Sequence, residues 1–182
     1  MRQVIVSSLI SADGVVEDPQ GWANKNFDAD DVVRSVAALQ RSHAMLMGRR
    51  SFEYFAPGWA AAEGPYGAEL RRIPKLVFTS RPLPVEWENS EVAGPDPVKT
   101  VLRLKEEGDG DLIVYGFTRL AGTLLTAGLV DQLKLAVHPV MVGRGAGSFL
   151  GGQAGDVELV ETRVRRSGVV DLTYQCGPTR ES

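Results

Sequence analysis

The sequence predicts an α/β domain with a mostly parallel central sheet, closed at its C-terminal edge by an antiparallel hairpin. Three observations carry that prediction. Short apolar, β-branched runs alternate with segments of helical spacing along most of the chain. Most of these runs are apolar on consecutive residues, as strands covered on both faces must be. The last two, Val157 to Arg165 and Val169 to Gln175, are joined through a Ser167-Gly168 turn with no helix between them.

The elements follow in order. Gln3 to Ile10 opens the sheet and breaks at Ser11-Ala-Asp-Gly14. A loop with Pro19, Gly21 and Trp22 leads to a helix over Asp30 to Gln40, with apolar residues at Val32, Val33, Val36, Ala37 and Leu39. Asn26 or Asp28 caps it, and the acidic cluster Asp28, Asp30 and Asp31 suits the positive end of the helix dipole. Ala44 to Met47 is a strand ending at Gly48, and Arg50 to Phe55 makes one or two helical turns. A helix over Ala61 to Arg72 precedes strands at Lys75 to Thr79 and Glu91 to Ala93. Pro95 to Glu107 is a helix left through Gly108-Asp109-Gly110. Leu112 to Tyr115 is a strand, Leu120 to Leu129 a helix, and Gln132 to Val142 a strand bent at Pro139.

The chain of 182 residues suits one domain, read as residues 1–178 with a short tail at 179–182. A formal net charge of −3 argues against nucleic acid or an anionic membrane as the main partner. No run approaches the roughly 18 to 20 apolar residues of a membrane helix, and the N-terminus lacks a secretion signal, so a cytoplasmic location is expected. The single cysteine, Cys176, fits a reducing compartment. His43 and His138 stand far apart with no cysteine near either, so no metal site is expected.

Three strand ends are candidates for ligand chemistry. Gly48-Arg-Arg-Ser-Phe-Glu53 joins a strand to a helix start, where free N–H groups, the Ser51 hydroxyl and Arg49 or Arg50 suit a phosphate. The competing reading is a surface loop with solvated arginines. Thr79, Ser80 and Arg81 end the next strand and suit a second phosphate, or simply turn the chain into Pro82. At Tyr115-Gly-Phe-Thr-Arg-Leu120, Gly116 admits a ligand close to the backbone, or merely enters a helix. Gly143-Arg-Gly-Ala-Gly147 has the spacing GxGxG with no apolar helix behind it and reads as a loop, not a dinucleotide fingerprint. Trp22, Phe55 and Trp59 either line a pocket or plug a core. No nucleophile–base pair is visible.

Taken in order, Ser-Ala-Asp-Gly14, Met-Gly-Arg-Arg-Ser-Phe-Glu53, Val-Phe-Thr-Ser-Arg81, Ile-Val-Tyr-Gly116, Gly-Leu-Val-Asp131 and His-Pro-Val-Met-Val-Gly143 resemble the dihydrofolate reductase superfamily. The Ser-x-Asp-Gly turn and the Leu-Val-Asp segment are most similar to its riboflavin-biosynthesis branch, the RibD C-terminal reductase domain. The resemblance implies a three-layer fold, a homodimer and an NADPH-dependent oxidoreductase. The substrate would be a small heterocycle or ribosylamino-pyrimidine, as for 5-amino-6-(5-phosphoribosylamino)uracil reductase. It places cofactor phosphates against Gly48, Arg49, Ser51, Thr79, Ser80 and Arg81, with NADPH preferred over NADH. The pyrophosphate would lie along Gly116, Phe117, Thr118 and Leu120, and the nicotinamide against Ser8 and Val15. The substrate pocket falls between Trp22 and Phe55 with Tyr115 as floor, and the helix acid aligns with Asp30, whose competing role is to cap the helix. The dimer contact is expected on Gln132 to Val142. Two departures stand out. Phe117 occupies the place of a second glycine that forms a cis bond in dihydrofolate reductases, and Ile73 that of the arginine gripping the folate glutamate. They motivate a second reading, a non-catalytic ligand-binding or scaffold protein that has kept the fold.

Overall fold

A computed structural model describes residues 1–143 and 155–177. Eight strands form one sheet: β1 (Val4–Ser11), β2 (Ser42–Gly48), β3 (Lys75–Phe78), β4 (Ser90–Gly94), β5 (Asp111–Tyr115), β6 (Gln132–His138), β7 (Val157–Val164) and β8 (Val170–Cys176). Their order is β4-β3-β2-β5-β1-β6-β8-β7. The first six in that order are parallel, and β8 and β7 add antiparallel pairs. The helices are α1 (Ala29–Arg41), α2 (Arg49–Trp59), α3 (Gly64–Arg72), α4 (Pro97–Glu106) and α5 (Arg119–Thr126).

Side-chain alternation divides the core into two. Met45, Met47, Val77 and Ile113 pack with Leu39 of α1, Phe52 and Ala56 of α2 and Leu70 of α3. Val4, Val6, Ala44, Leu46, Leu112 and Val114 pack with Val101 and Leu104 of α4 and Leu120, Ala121 and Leu124 of α5. The result is helices, sheet, helices: three layers, as expected.

The structure moves several boundaries. Of the two candidate caps for α1, Asp28 is the one used: its side chain accepts from the Asp31 amide, and the Asp31 side chain accepts from the Asp28 amide, both at 2.9 Å. Val32 and Val33 are exposed, so α1 packs through Leu39 rather than through its first valines. Helix α2 does not stop at Phe55 but runs through Pro57 to Trp59. Strand β6 ends at His138, and it lies inside the sheet between β1 and β8. Strand β6 therefore has no free edge to pair with a second copy; the free edge at that end is β7, where Val157, Leu159, Val160 and Val164 are exposed.

Several residues of the family-like segments hold this frame. Asp131 accepts the Val4 amide at 2.7 Å and pairs with Lys105, fixing the start of β1 against α4. Ser11 donates to Asp13 and accepts the Val15 amide, and Asp13 takes the amides of Val142 and Gly143. Those donors, the Ser11 hydroxyl first, lower the Asp13 carboxyl to about 2. Arg144 to Gly147 of the glycine-rich loop lie outside the described residues.

Candidate functional site

The parallel strands all end on one side of the sheet, where ligands of such folds bind. Two cavities open there and share Val16, Pro19, Phe55, Tyr115 and Gly116 in their walls.

The outer one is a groove of about 670 Å³. Arg50 and Ser51 from the first turn of α2 line it, as do Phe117, Thr118 and Arg119 at the start of α5. Helices α1, α4 and α5 are capped by the side chains of Asp28, Asp96 and Thr118. Helix α2 starts at Gly48 with no side-chain cap, so its first N–H groups remain available as donors beside the groove. Arg50 forms no ion pair among the described residues. Gly116 turns the chain at φ +81°, a conformation unfavourable for residues with a Cβ. Among the described residues no peptide bond is cis, so the turn before Phe117 is made by that positive φ instead.

The inner cavity, of about 400 Å³, lies on the α1 face of the sheet. One wall is aromatic: Phe55 stacks on Trp59 with centroids 4.1 Å apart, and Trp59 meets Tyr115 edge-on at 5.5 Å and Tyr66 at 6.2 Å. Burial pushes the hydroxyls of Tyr66 and Tyr115 to higher pKa, so both stay neutral donors at physiological pH. The opposite wall is ionic. Asp31, 3% exposed, receives the guanidinium groups of Arg34 and Arg165, and Arg165 also grips both oxygens of Asp171. This network ties the start of α1 to the C-terminal hairpin.

The structure places the expected site residues unevenly. Phe55 and Tyr115 line both cavities, Ser8 lines the inner one, and Ser51, Gly116, Phe117 and Thr118 line the groove. Leu120 is buried in the α5-side core and Val15 is buried beside Ser11; neighbouring Val16 faces the cleft instead. Arg49 is tied down, donating to the Pro82 carbonyl at 2.7 Å and pairing with Glu53 at 2.8 Å. Thr79, Ser80 and Arg81 follow β3, two strands from Gly116, outside the walls of both cavities. Asp30 is exposed on α1, and it is Asp31 that faces the cleft. Trp22 is not a pocket wall. Together with Phe27 it covers the buried ring of His138, at 5.5 and 6.0 Å.

His138 anchors the loop that roofs the cleft. Its Nδ1 lies 3.5 Å from the side-chain Nδ2 of Asn26, and its Nε2 is buried with no partner among the described residues. Burial lowers its pKa, Arg165 lowers it further, and Asp31 and Asp171 partly oppose them. The fold therefore prefers neutral His138. Its stabilising effect is complete above the unfolded pKa of about 6.5 and is lost as pH falls through the lower folded value. The urea midpoint should drop between pH 7 and pH 5, and His138→Phe should flatten that drop; an unchanged slope in the variant would assign it to other groups.

Comparison with known proteins agrees with this geometry. The model of the RibD C-terminal domain family matches residues 2–171. The uncharacterized protein YyaP of Bacillus subtilis is 26% identical over 95% of this chain and 94% of its own. A putative riboflavin biosynthesis protein from Shewanella sp. PV-4 superposes with TM-score 0.75 at 19% identity, covering 96% of this chain and 99% of that one. Enterococcus faecalis dihydrofolate reductase, solved with NADP(H), gives 0.61 at 17% identity over 95% of each chain.

Proposed function

We infer the function from the premise that the chain belongs to the RibD C-terminal domain family: it is an NADPH-dependent reductase of a small heterocyclic substrate. One observation carries the reading. A phosphate-suited groove and an aromatic-walled cavity meet at a shared wall of Val16, Phe55, Tyr115 and Gly116. That is the arrangement hydride transfer needs, since donor and acceptor must approach within about 3 to 3.5 Å.

The groove fits a dinucleotide on this chain's own chemistry. The uncapped N–H groups of α2, the Ser51 hydroxyl and the unpaired Arg50 would hold phosphate. Thr79, Ser80 and Arg81 would take a further phosphate along the same row of strand ends, with Arg49 holding their loop through the Pro82 carbonyl. NADPH would supply the hydride. The chain positions the acceptor ring against Phe55 and Trp59, excludes water, and keeps the Tyr115 hydroxyl protonated at the shared wall. Asp31 is engaged by the guanidinium groups of Arg34 and Arg165 and so orients the ionic wall. Such a protein would work in the cytoplasm.

Arg50→Ala should weaken NADPH and NADH alike by about tenfold, whereas Arg81→Ala should weaken NADPH alone; equal losses in the second variant would remove the extra-phosphate assignment. The chain should also run as a homodimer, because the exposed apolar residues of β7 form an unprotected sheet edge. Light scattering at micromolar concentration should give twice the chain mass, and Val160→Lys should halve it; a monomer in the parent protein rejects the dimer.

A further inference from the structure

We propose that the inner cavity selects a flat substrate carrying a single negative charge, a carboxylate, and that Lys134 is the residue that reads it. The proposal rests on the reading of this cavity as the acceptor chamber, and it departs from a phosphorylated substrate.

The sheet register builds the subsite. Tyr115 pairs with Ser7, Ser7 with Lys134, Lys134 with Thr173 and Thr173 with Glu161, one row across five strands. All five residues line the cavity. Neighbouring strands are about 4.8 Å apart, so the Lys134 backbone stands roughly 10 Å from that of Tyr115. A ring against the aromatic wall thus has an ammonium at the distance of a short substituent, flanked by two hydroxyls. The Ser7, Lys134 and Thr173 side chains are committed to no partner among the described residues.

Charge then sets the class. Arg34 and Arg165 are taken up by Asp31 and Asp171. Of the other charged groups in the lining, Arg41, Lys134 and Arg163 stand against Asp111 and Glu161, leaving one positive charge. A carboxylate matches it. A phosphate monoester brings about −1.5 to −2 charges at pH 7 and would meet the Asp171 and Glu161 carboxylates beside the same subsite.

Three probes with one ring test this: 2-naphthoate, neutral 2-naphthamide and 2-naphthyl phosphate, titrated by calorimetry at pH 7.5 with and without saturating NADPH. Naphthoate should bind about tenfold more tightly than either of the others. Lys134→Gln should bring naphthoate to within about twofold of naphthamide while leaving naphthamide unchanged, and Lys134→Arg should restore the preference. Tighter binding of the phosphate ester, a preference that survives Lys134→Gln, or no binding of any probe overturns the proposal. Binding of NADPH is read in the same cell without probe. Its failure would reject the reductase reading while leaving the charge preference to be judged on the NADPH-free titrations.

Discussion

Replacing Arg165 by methionine is expected to lower the unfolding free energy by about 3 to 5 kcal/mol, the usual cost of removing one partner from a buried ion pair. Arg165 is 11% exposed and bridges Asp31 of α1 and Asp171 of β8. Without it, Asp31 remains buried with only Arg34, and Asp171 loses its bidentate partner. The loss is large because Asp31 has already given up solvation; the attraction alone, near a surface, is worth far less. The control is Arg163→Met on the exposed neighbouring strand β7, which should change stability by no more than about 0.5 kcal/mol. Urea unfolding of both variants decides it. A loss below about 1 kcal/mol for Arg165→Met would mean that the network is solvated and does not brace the cleft. The double variant Asp31→Leu with Arg165→Met should recover part of the loss, since no buried charge is then left alone at that position.

Gly116→Val should reduce NADPH affinity by about a hundredfold and lower the thermal midpoint by several degrees. Gly116 has φ +81°, and its amide donates to the Ser7 carbonyl at 2.8 Å, locking β5 to β1 at the junction of groove and cavity. A first Cβ has room, since the nearest atom is a Thr118 methyl at 3.8 Å. The cost of alanine there is therefore mainly conformational, about 1 to 2 kcal/mol. Valine adds branching at a positive φ and two methyl groups on the wall that donor and acceptor must share. Gly122→Ala is the matched control. Gly122 also lines the groove, but a Cβ there meets nothing and alanine favours the α5 helix. If both variants bind NADPH like the parent, the cofactor does not run past Gly116.

The alternation of strands with helices and the closing hairpin were legible in the sequence because each rests on local patterning, whereas the three-layer arrangement came from the family resemblance. The Ser11-to-Gly14 turn and the Gly48 and Gly116 corners were legible for the same reason: a strand must end where its turn chemistry begins. The cleft walls were less so. Trp59 sits one turn after Phe55 on the same face of α2, but Pro57-Gly58 reads as a break, which hid the pairing. Lys134 was readable from the alternation of β6, which puts Gln132, Lys134, Ala136 and His138 opposite Leu133, Leu135 and Val137, yet an apolar strand reading obscured it. The choice between Asp30 and Asp31 turned on one residue of helical phase, set by which residue caps α1. Arg165 pairs with Asp31 across 134 residues, a contact that no local pattern announces.

Whether the groove from α2 to Gly116 binds a reduced nicotinamide dinucleotide carrying an extra phosphate is tested most directly by equilibrium titration with NADPH and NADH. Energy transfer from the tryptophans to the reduced nicotinamide reports the binding. Trp59 lines the cavity next to the shared wall and is the expected donor. Saturable binding at one site per chain is expected, tighter for NADPH than for NADH, with the signal lost in Trp59→Phe and the affinity reduced in Arg50→Ala. No saturation with either cofactor, in protein that unfolds cooperatively, would contradict the assignment and leave a ligand-binding protein that keeps the fold without the redox chemistry.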